Sequence, residues 1–157
     1  MHCVGGLLAI GEAMSPPVIA AVKKAAPDVD VLVIDSPPGT SCPVIESLRG
    51  SDIVLLVTEP TPFGLNDLKL AVAMVRTLKL PLAVVINRAD AGDDRTRRYC
   101  QEETIDILAE IPDDRRVAQA YSRGELACDA VPEYRQLYSD LLEDILARTP
   151  TRLDRNE

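Results

Sequence analysis

The residues whose types could do chemistry cluster just after short apolar runs. The run Val31-Leu32-Val33-Ile34 leads into Asp35-Ser36-Pro37-Pro38-Gly39-Thr40-Ser41-Cys42-Pro43. A carboxylate followed by a stiff Pro-Pro and a permissive glycine suits a switch that senses a nucleotide. Asp35 can hold a magnesium-bound water, and Gly39 lets backbone N–H groups approach a phosphate. The same string also makes a tight strand-to-helix turn with Thr40 or Ser41 as the helix cap. A second run ends in Val85-Ile86-Asn87-Arg88-Ala89-Asp90. An asparagine there can offer a donor and an acceptor to a purine edge, or simply form the turn. Ile111-Pro112-Asp113-Asp114 by itself is a helix start, and Thr58-Glu59-Pro60-Thr61-Pro62-Phe63-Gly64 is a proline-rich loop.

Positioning such residues is the work of the elements between them. Val31 to Ile34, Ile53 to Val57 and Leu82 to Ile86 are continuously apolar, the pattern of parallel strands buried on both faces. Gly6 to Ile10 and Ile105 to Ala109 are weaker strand candidates. Ser15 followed by Pro16 and Pro17 reads as a helix cap and first turn, with Lys23 and Lys24 suited to that helix's C-terminal dipole. Asn66 is expected to cap a helix bearing Leu68, Val72, Val75 and Leu78 on one face. A last helix from about Glu133 to Ala147 puts Leu137, Leu141, Leu142, Ile145 and Leu146 on one stripe. Alternating strands and helices mean an α/β fold with a mainly parallel sheet of about four to five strands and helices on both faces. In such folds ligands bind at the carboxyl ends of the strands, where the candidate residues fall.

Length and charge narrow the classes further. A chain of 157 residues with 46% hydrophobic content suits one domain with a real core, expected over residues 1–149 with a charged tail at 150–157. One Phe, four Tyr and no Trp leave an aliphatic core and no base-stacking platform. A net charge of −8 repels phosphate backbones, so no nucleic-acid partner is expected. No apolar run approaches the length of a membrane span, and there is no basic leader, so a cytoplasmic location is expected. The four cysteines, Cys3, Cys42, Cys100 and Cys128, form no CxxC pair and fit a reducing compartment. Cys42, at an expected helix start, is a redox-sensitive thiol, one ligand of a cluster shared across a dimer, or, as favoured, a small residue packed under its loop.

In their order, the DSPPGTSCPV, VTEPTPFGLNDL, VINR and IPDDRRVAQAYSRGE segments resemble the ParA/MinD superfamily of P-loop ATPases, and most of all MinD-like proteins with an inserted ferredoxin domain. The resemblance spans about residues 5 to 146. It implies a P-loop NTPase-like fold and an ATP-driven conformational or dimerisation switch, linked to iron–sulfur or redox proteins. It further implies that Asp35 is the catalytic carboxylate at the end of the Walker B strand, acting on Mg2+ through water. Gly39 would be the switch glycine, Asn87 the adenine reader accompanied by Arg88, and Pro112 and Asp113 the border of the base.

No Gly-rich GKT or GKS loop and no ferredoxin-like cysteine run occurs in the 157 residues. The chain therefore resembles the C-terminal portion of such an ATPase, expected to be inactive in isolation. ATP and Mg2+ are expected only in a completed site, and an iron–sulfur cluster only if another segment or partner supplies it. Without a P-loop strand beside it, the Val31 to Ile34 strand would expose an unpaired edge. The expected partners are therefore another copy of the chain or a chain carrying the P-loop half, with closure of the gap by the segment Cys3 to Ile10 as the lesser alternative. Two other readings stand beside this one: a non-catalytic interaction module on the same scaffold, and a transferase of the related cobyrinic-acid amidase group, for which no Cys–His pair is present.

Overall fold

The computed structural model describes residues 2–6 and 16–149. The expectations for residues 7–10, the Ser15 cap and the tail at 150–157 lie outside the described residues. The chain divides into two compact units, one ending at Ser51 and the other beginning at Asp52.

In the first unit, Pro16 and Pro17 open helix α1 (Pro16–Ala25), their fixed φ suiting a first turn. A second helix, α2 (Cys42–Leu48), packs against it. Lys23 lies in the last turn of α1, but its ammonium donates to the carbonyls of Glu46 (3.0 Å), Ser47 (3.2 Å) and Arg49, closing the open end of α2. The expected strand at Val31 to Ile34 is not formed. The segment is irregular, with Val31, Leu32 and Val33 exposed, Val33 by 83%. Its apolar composition suits a strand, yet no ladder partner among the described residues takes its backbone groups, and propensity alone does not make a strand.

The second unit holds the sheet. Strands β1 (Val54–Thr58), β2 (Leu82–Asn87) and β3 (Ile107–Ile111) pair in parallel in the order β1-β2-β3. Val54 faces Leu82, Thr58 faces Ile86 and Asn87 faces Ile111, with an irregularity between Val84 and Val85 on the β3 side. Three strands, rather than four to five, are thus present among the described residues. The α/β class with a parallel sheet is as expected. Ala83, Val84, Val85 and Ile86 are all buried although their side chains alternate, so both faces of β2 are covered. On one face Val84 and Ile86 meet Leu68 and Val72 of α3 (Pro62–Thr77), with Ala89, Cys100 and Ile105 completing the buried cluster.

Helix α3 starts earlier than expected. Thr61, not Asn66, is the cap, its hydroxyl accepting the Gly64 N–H at 3.0 Å, and Pro62 fits the first turn. Helix α4 (Arg95–Glu102) leads into β3, and α5 (Arg115–Ser122) and α6 (Ala127–Ala130) follow it. Helix α7 (Glu133–Leu146) forms as expected and packs on β3. No helix among the described residues is long and apolar enough to cross a membrane.

Candidate functional site

The carboxyl ends of the three strands carry one connected set of side chains. β2 closes with Asn87, half-buried and in register with Ile111, so it stands next to the Pro112–Asp113 segment that follows β3. The pairing runs one step further, with the Ala89 N–H donating to the Ile111 carbonyl at 2.9 Å. Arg88 between them takes φ +51°, a left-handed conformation few non-glycine residues adopt, and its carbonyl accepts the Ala91 N–H at 2.8 Å. That turn redirects the chain across the strand ends.

Arg88 then bridges both neighbouring loops. Its guanidinium lies 3.2 Å from the Asp113 carboxylate and 3.8 Å from Glu59, which directly follows β1. The hydrogen bond to Asp113 first, and then the two negative charges, hold the Arg88 pKa above its usual value. Asp90 Oδ1 accepts the backbone N–H of Asp113 at 2.7 Å. Arg97 of α4 ties this region to the sheet, donating to the Ala89 carbonyl (2.9 Å) and to Glu110 of β3 (2.6 Å). The Arg97 hydrogen bond lowers the pKa of Glu110.

Two glycines permit close backbone approaches here, Gly92 between two loops and Gly64 within the connection from β1 to α3. A Cβ on Gly92 would sit 1.7 Å from the Pro60 carbonyl oxygen, and one on Gly64 would sit 2.3 Å from the Glu59 carbonyl oxygen. Only a residue without a side chain permits either approach.

The structure therefore brings Asn87, Arg88, Pro112 and Asp113 to one end of the sheet. Asp35 and Gly39 belong to the first unit. Asp35 is exposed, and its carboxylate makes no hydrogen bond to the described residues. Gly39 takes φ +93° with open space around its Cβ position, so its conformation, not crowding, calls for glycine. Ser36 anchors the loop, its hydroxyl 2.5 Å from that of Ser47, which in turn donates to the Val44 carbonyl at 2.7 Å. Ser41 precedes α2 in extended conformation without a side-chain cap bond, and Cys42 is exposed.

Sequence reasoning gave Glu59, Asp90, Gly92 and Arg97 no role. The available signal was positional: Glu59, Asp90 and Asp113 are carboxylates placed just beyond three successive apolar runs, with one arginine among them.

The residues present fit a nucleotide base better than a cluster. Asn87 and the adjoining turn offer an amide and backbone groups at the usual ligand end of a parallel sheet. By contrast, no group of three His, Cys, Asp or Glu side chains among the described residues could hold a metal ion. Cys100 is buried in the core, and that burial raises its thiol pKa, which disfavours the thiolate a metal requires.

Comparison with known proteins places the chain in a family. Residues 20–147 match the ParA family model described as NUBPL iron-transfer P-loop NTPase. The chain belongs to this family. The likeness to the ParA/MinD superfamily read from the strand-end segments is thereby borne out. An uncharacterised protein of Methanocaldococcus jannaschii is 31% identical over 126 residues, covering 79% of this chain and 44% of that protein. An iron–sulfur cluster carrier protein of the same organism is 24% identical, covering 83% of this chain and 53% of its own length. The Pyrococcus horikoshii protein of that name is 29% identical, over 69% of this chain and 44% of its own. The chain thus spans about half the length of the curated relatives it matches. Among solved structures, a Borrelia burgdorferi protein assigned to plasmid partition, bound to AMPPNP, aligns with TM-score 0.48 and 20% identity, covering 65% of this chain and 45% of that one.

Proposed function

We propose that this chain carries the base-recognising and switch portion of an ATP-dependent ParA/MinD-type switch that serves iron–sulfur protein assembly, with residues 1–149 as one partial domain. The observation that supports it is the placement of Asn87 in register with Ile111, beside the Pro112–Asp113 segment, at the carboxyl ends of adjacent parallel strands. Adenine presents a donor and an acceptor on one edge, and an asparagine amide complements both. Asn87 would read that edge, with Pro112 and Asp113 bordering the base and Arg88 holding Asp113.

Asp35 would hold Mg2+ through water, and Gly39 would follow the γ-phosphate as the switch glycine. Mg-ATP, when bound, supplies the phosphoryl chemistry. The phosphate-cradling loop would come from a P-loop half, joined to or separate from these residues. The exposed apolar residues Val31, Leu32 and Val33 support an oligomer or such a complex as the working form. The iron–sulfur carrier relatives, and a Monosiga brevicollis relative named a cytosolic Fe-S cluster assembly factor, support a cytoplasmic role with the cluster as cargo.

The hydrogen bonds that a P-loop donates to phosphates are charge-assisted and worth about 1.5–3 kcal/mol each. Calorimetry with Mg-ATP is therefore expected to find affinity weaker than micromolar for this chain alone, recovered when a P-loop half is added. In the reconstituted ATPase, Asp35→Asn abolishes turnover while changing the stability of this chain by about 1 kcal/mol or less. Micromolar affinity of the chain alone would overturn the partial-domain reading, and unchanged turnover would remove Asp35 from the mechanism.

A further inference from the structure

We propose that Asp90 is a positioning residue: it fixes the Pro112–Asp113 segment relative to Asn87, so that a purine base meets a pre-set edge. This rests on the base-site reading above. Asp90 and Asp113 are 23 residues apart, yet the Asp90 carboxylate takes the Asp113 backbone N–H at 2.7 Å. The same residue is held a second time through its side chain, by Arg88 at 3.2 Å. Asp113 is therefore gripped at backbone and side chain by two residues of the single loop that follows Asn87.

That loop is itself anchored on its other side. Gly92 packs where any side chain would strike the Pro60 carbonyl, and the Asp93 N–H donates to that carbonyl at 3.3 Å. The loop after β2 thus clasps the loops after β1 and β3 together.

Stability is a poor account of this arrangement. Arg88 and Asp113 are each about half exposed, and exposed ion pairs contribute little to folding. What the two struts supply is direction: a charge-assisted bond orients the Asp113 peptide, and Pro112 limits the freedom of the residue before it. Pre-set polar edges lower the ordering cost of binding a rigid base.

Adenosine is a suitable probe because it lacks phosphates and so does not need a P-loop. In the full chain, adenosine is expected to shift the Asn87 side-chain amide resonances in 1H–15N NMR spectra. With Asp90→Ala, exchange of the Asp113 amide should accelerate by about tenfold, as for loss of one hydrogen bond, while the amides of Ala83 to Ile86 keep their protection. The adenosine response should fall several-fold in that variant. Asp90→Asn, which keeps an acceptor oxygen, should restore part of both signals.

Unchanged Asp113 exchange, or an unchanged adenosine response, in Asp90→Ala overturns the assignment. A general loss of protection across β2 also overturns it, since Asp90 would then be holding the fold. A guanosine response in the wild type that exceeds that of adenosine and vanishes in Asp90→Ala overturns it differently: guanine presents two adjacent donors that suit a carboxylate, and Asp90 would be touching the base. A wild type with slow Asp113 exchange but no nucleoside response removes the base-site reading itself, and the proposal with it.

Discussion

Val31-Leu32-Val33-Ile34 and Leu82-Ala83-Val84-Val85-Ile86 are almost the same object as strings of residues, yet the two units treat them in opposite ways. In the second unit, Ala83, Val84 and Ile86 are fully buried and Val85 is 2% exposed, with a hydrogen-bonded neighbour on each side. In the first, the run forms no strand and three of its four side chains are exposed. The composition that makes a central strand is shared; the difference lies in partners. A strand forms its ladder only with another strand, so a β-rich run with no neighbouring strand among the described residues leaves its backbone groups to water and side chains.

The largest expected effect separates these two runs directly. Ile86→Ala removes buried methyl and methylene groups from the centre of the sheet and should destabilise the fold by about 2–5 kcal/mol. Val33→Ala trims a side chain that is 83% exposed and should change stability by no more than about 0.5 kcal/mol. Urea titrations of the two variants decide it. Comparable losses at both positions would mean that the 31–34 run is buried and paired in solution.

The pattern of what was readable follows the same division. Ile53 to Val57 and Leu82 to Ile86 were legible because continuous apolarity marks a two-sided strand, and the β1 and β2 boundaries fall within one residue of them. The Glu133 helix was legible from its stripe. The α3 start was not: Asn66 is a good capping type, but Thr61-Pro62 supplies both a cap and a fitted first residue, and that combination prevails. In the site, Asn87 and the Pro112–Asp113 segment were legible as strand ends. The Asp90 bond to Asp113 and the Lys23 bonds to the end of α2 were not, since each joins a side chain to a backbone group about 23 residues away, which no periodicity encodes.

A second, smaller contrast concerns glycines. Gly39 lies in a loop of the first unit and Gly92 in a loop of the second, and they need glycine for different reasons. Gly92→Ala forces a methyl against the Pro60 carbonyl. The backbone must shift, at a cost of about 1–3 kcal/mol. Gly39→Ala meets open space and bears only the left-handed backbone penalty, about 1–2 kcal/mol. Gly39→Asn should recover part of that penalty, because asparagine tolerates the conformation, whereas Gly92→Asn should recover nothing. Thermal denaturation of the four variants tests the pattern, and recovery by asparagine at position 92 would contradict the steric account.

The smallest expected effect lies at the helix starts. In the second unit, carboxylates serve α4 and α5: Asp93 accepts the Arg95 backbone N–H at 2.9 Å, and Asp114 accepts that of Arg116 at 2.8 Å. Helix α2 of the first unit has no such bond from Ser41, and α3 uses the hydroxyl of Thr61. The Arg95 side-chain hydrogen bond, followed by the backbone bond, lowers the Asp93 pKa to about 2, and Arg116 lowers that of Asp114 by the same two contacts. A carboxyl group depressed in the folded state contributes stability that is complete above its unfolded pKa, about 3.9, and is lost as pH falls through the folded value. For Asp93 the loss therefore spans the interval from the ordinary carboxylate range down to about 2. The Asp93 side chain is half exposed, so the loss should appear as local fraying rather than global unfolding. Carboxyl 13C titration should place the Asp93 midpoint at about 2, with the Arg95 amide shift following it. Over the same interval the Gly64 amide, bonded to the hydroxyl of Thr61, should stay fixed because that acceptor does not titrate. An Asp93 midpoint at the ordinary carboxylate value, or a Gly64 amide that moves with it, would show that charge does not distinguish the starts of these helices.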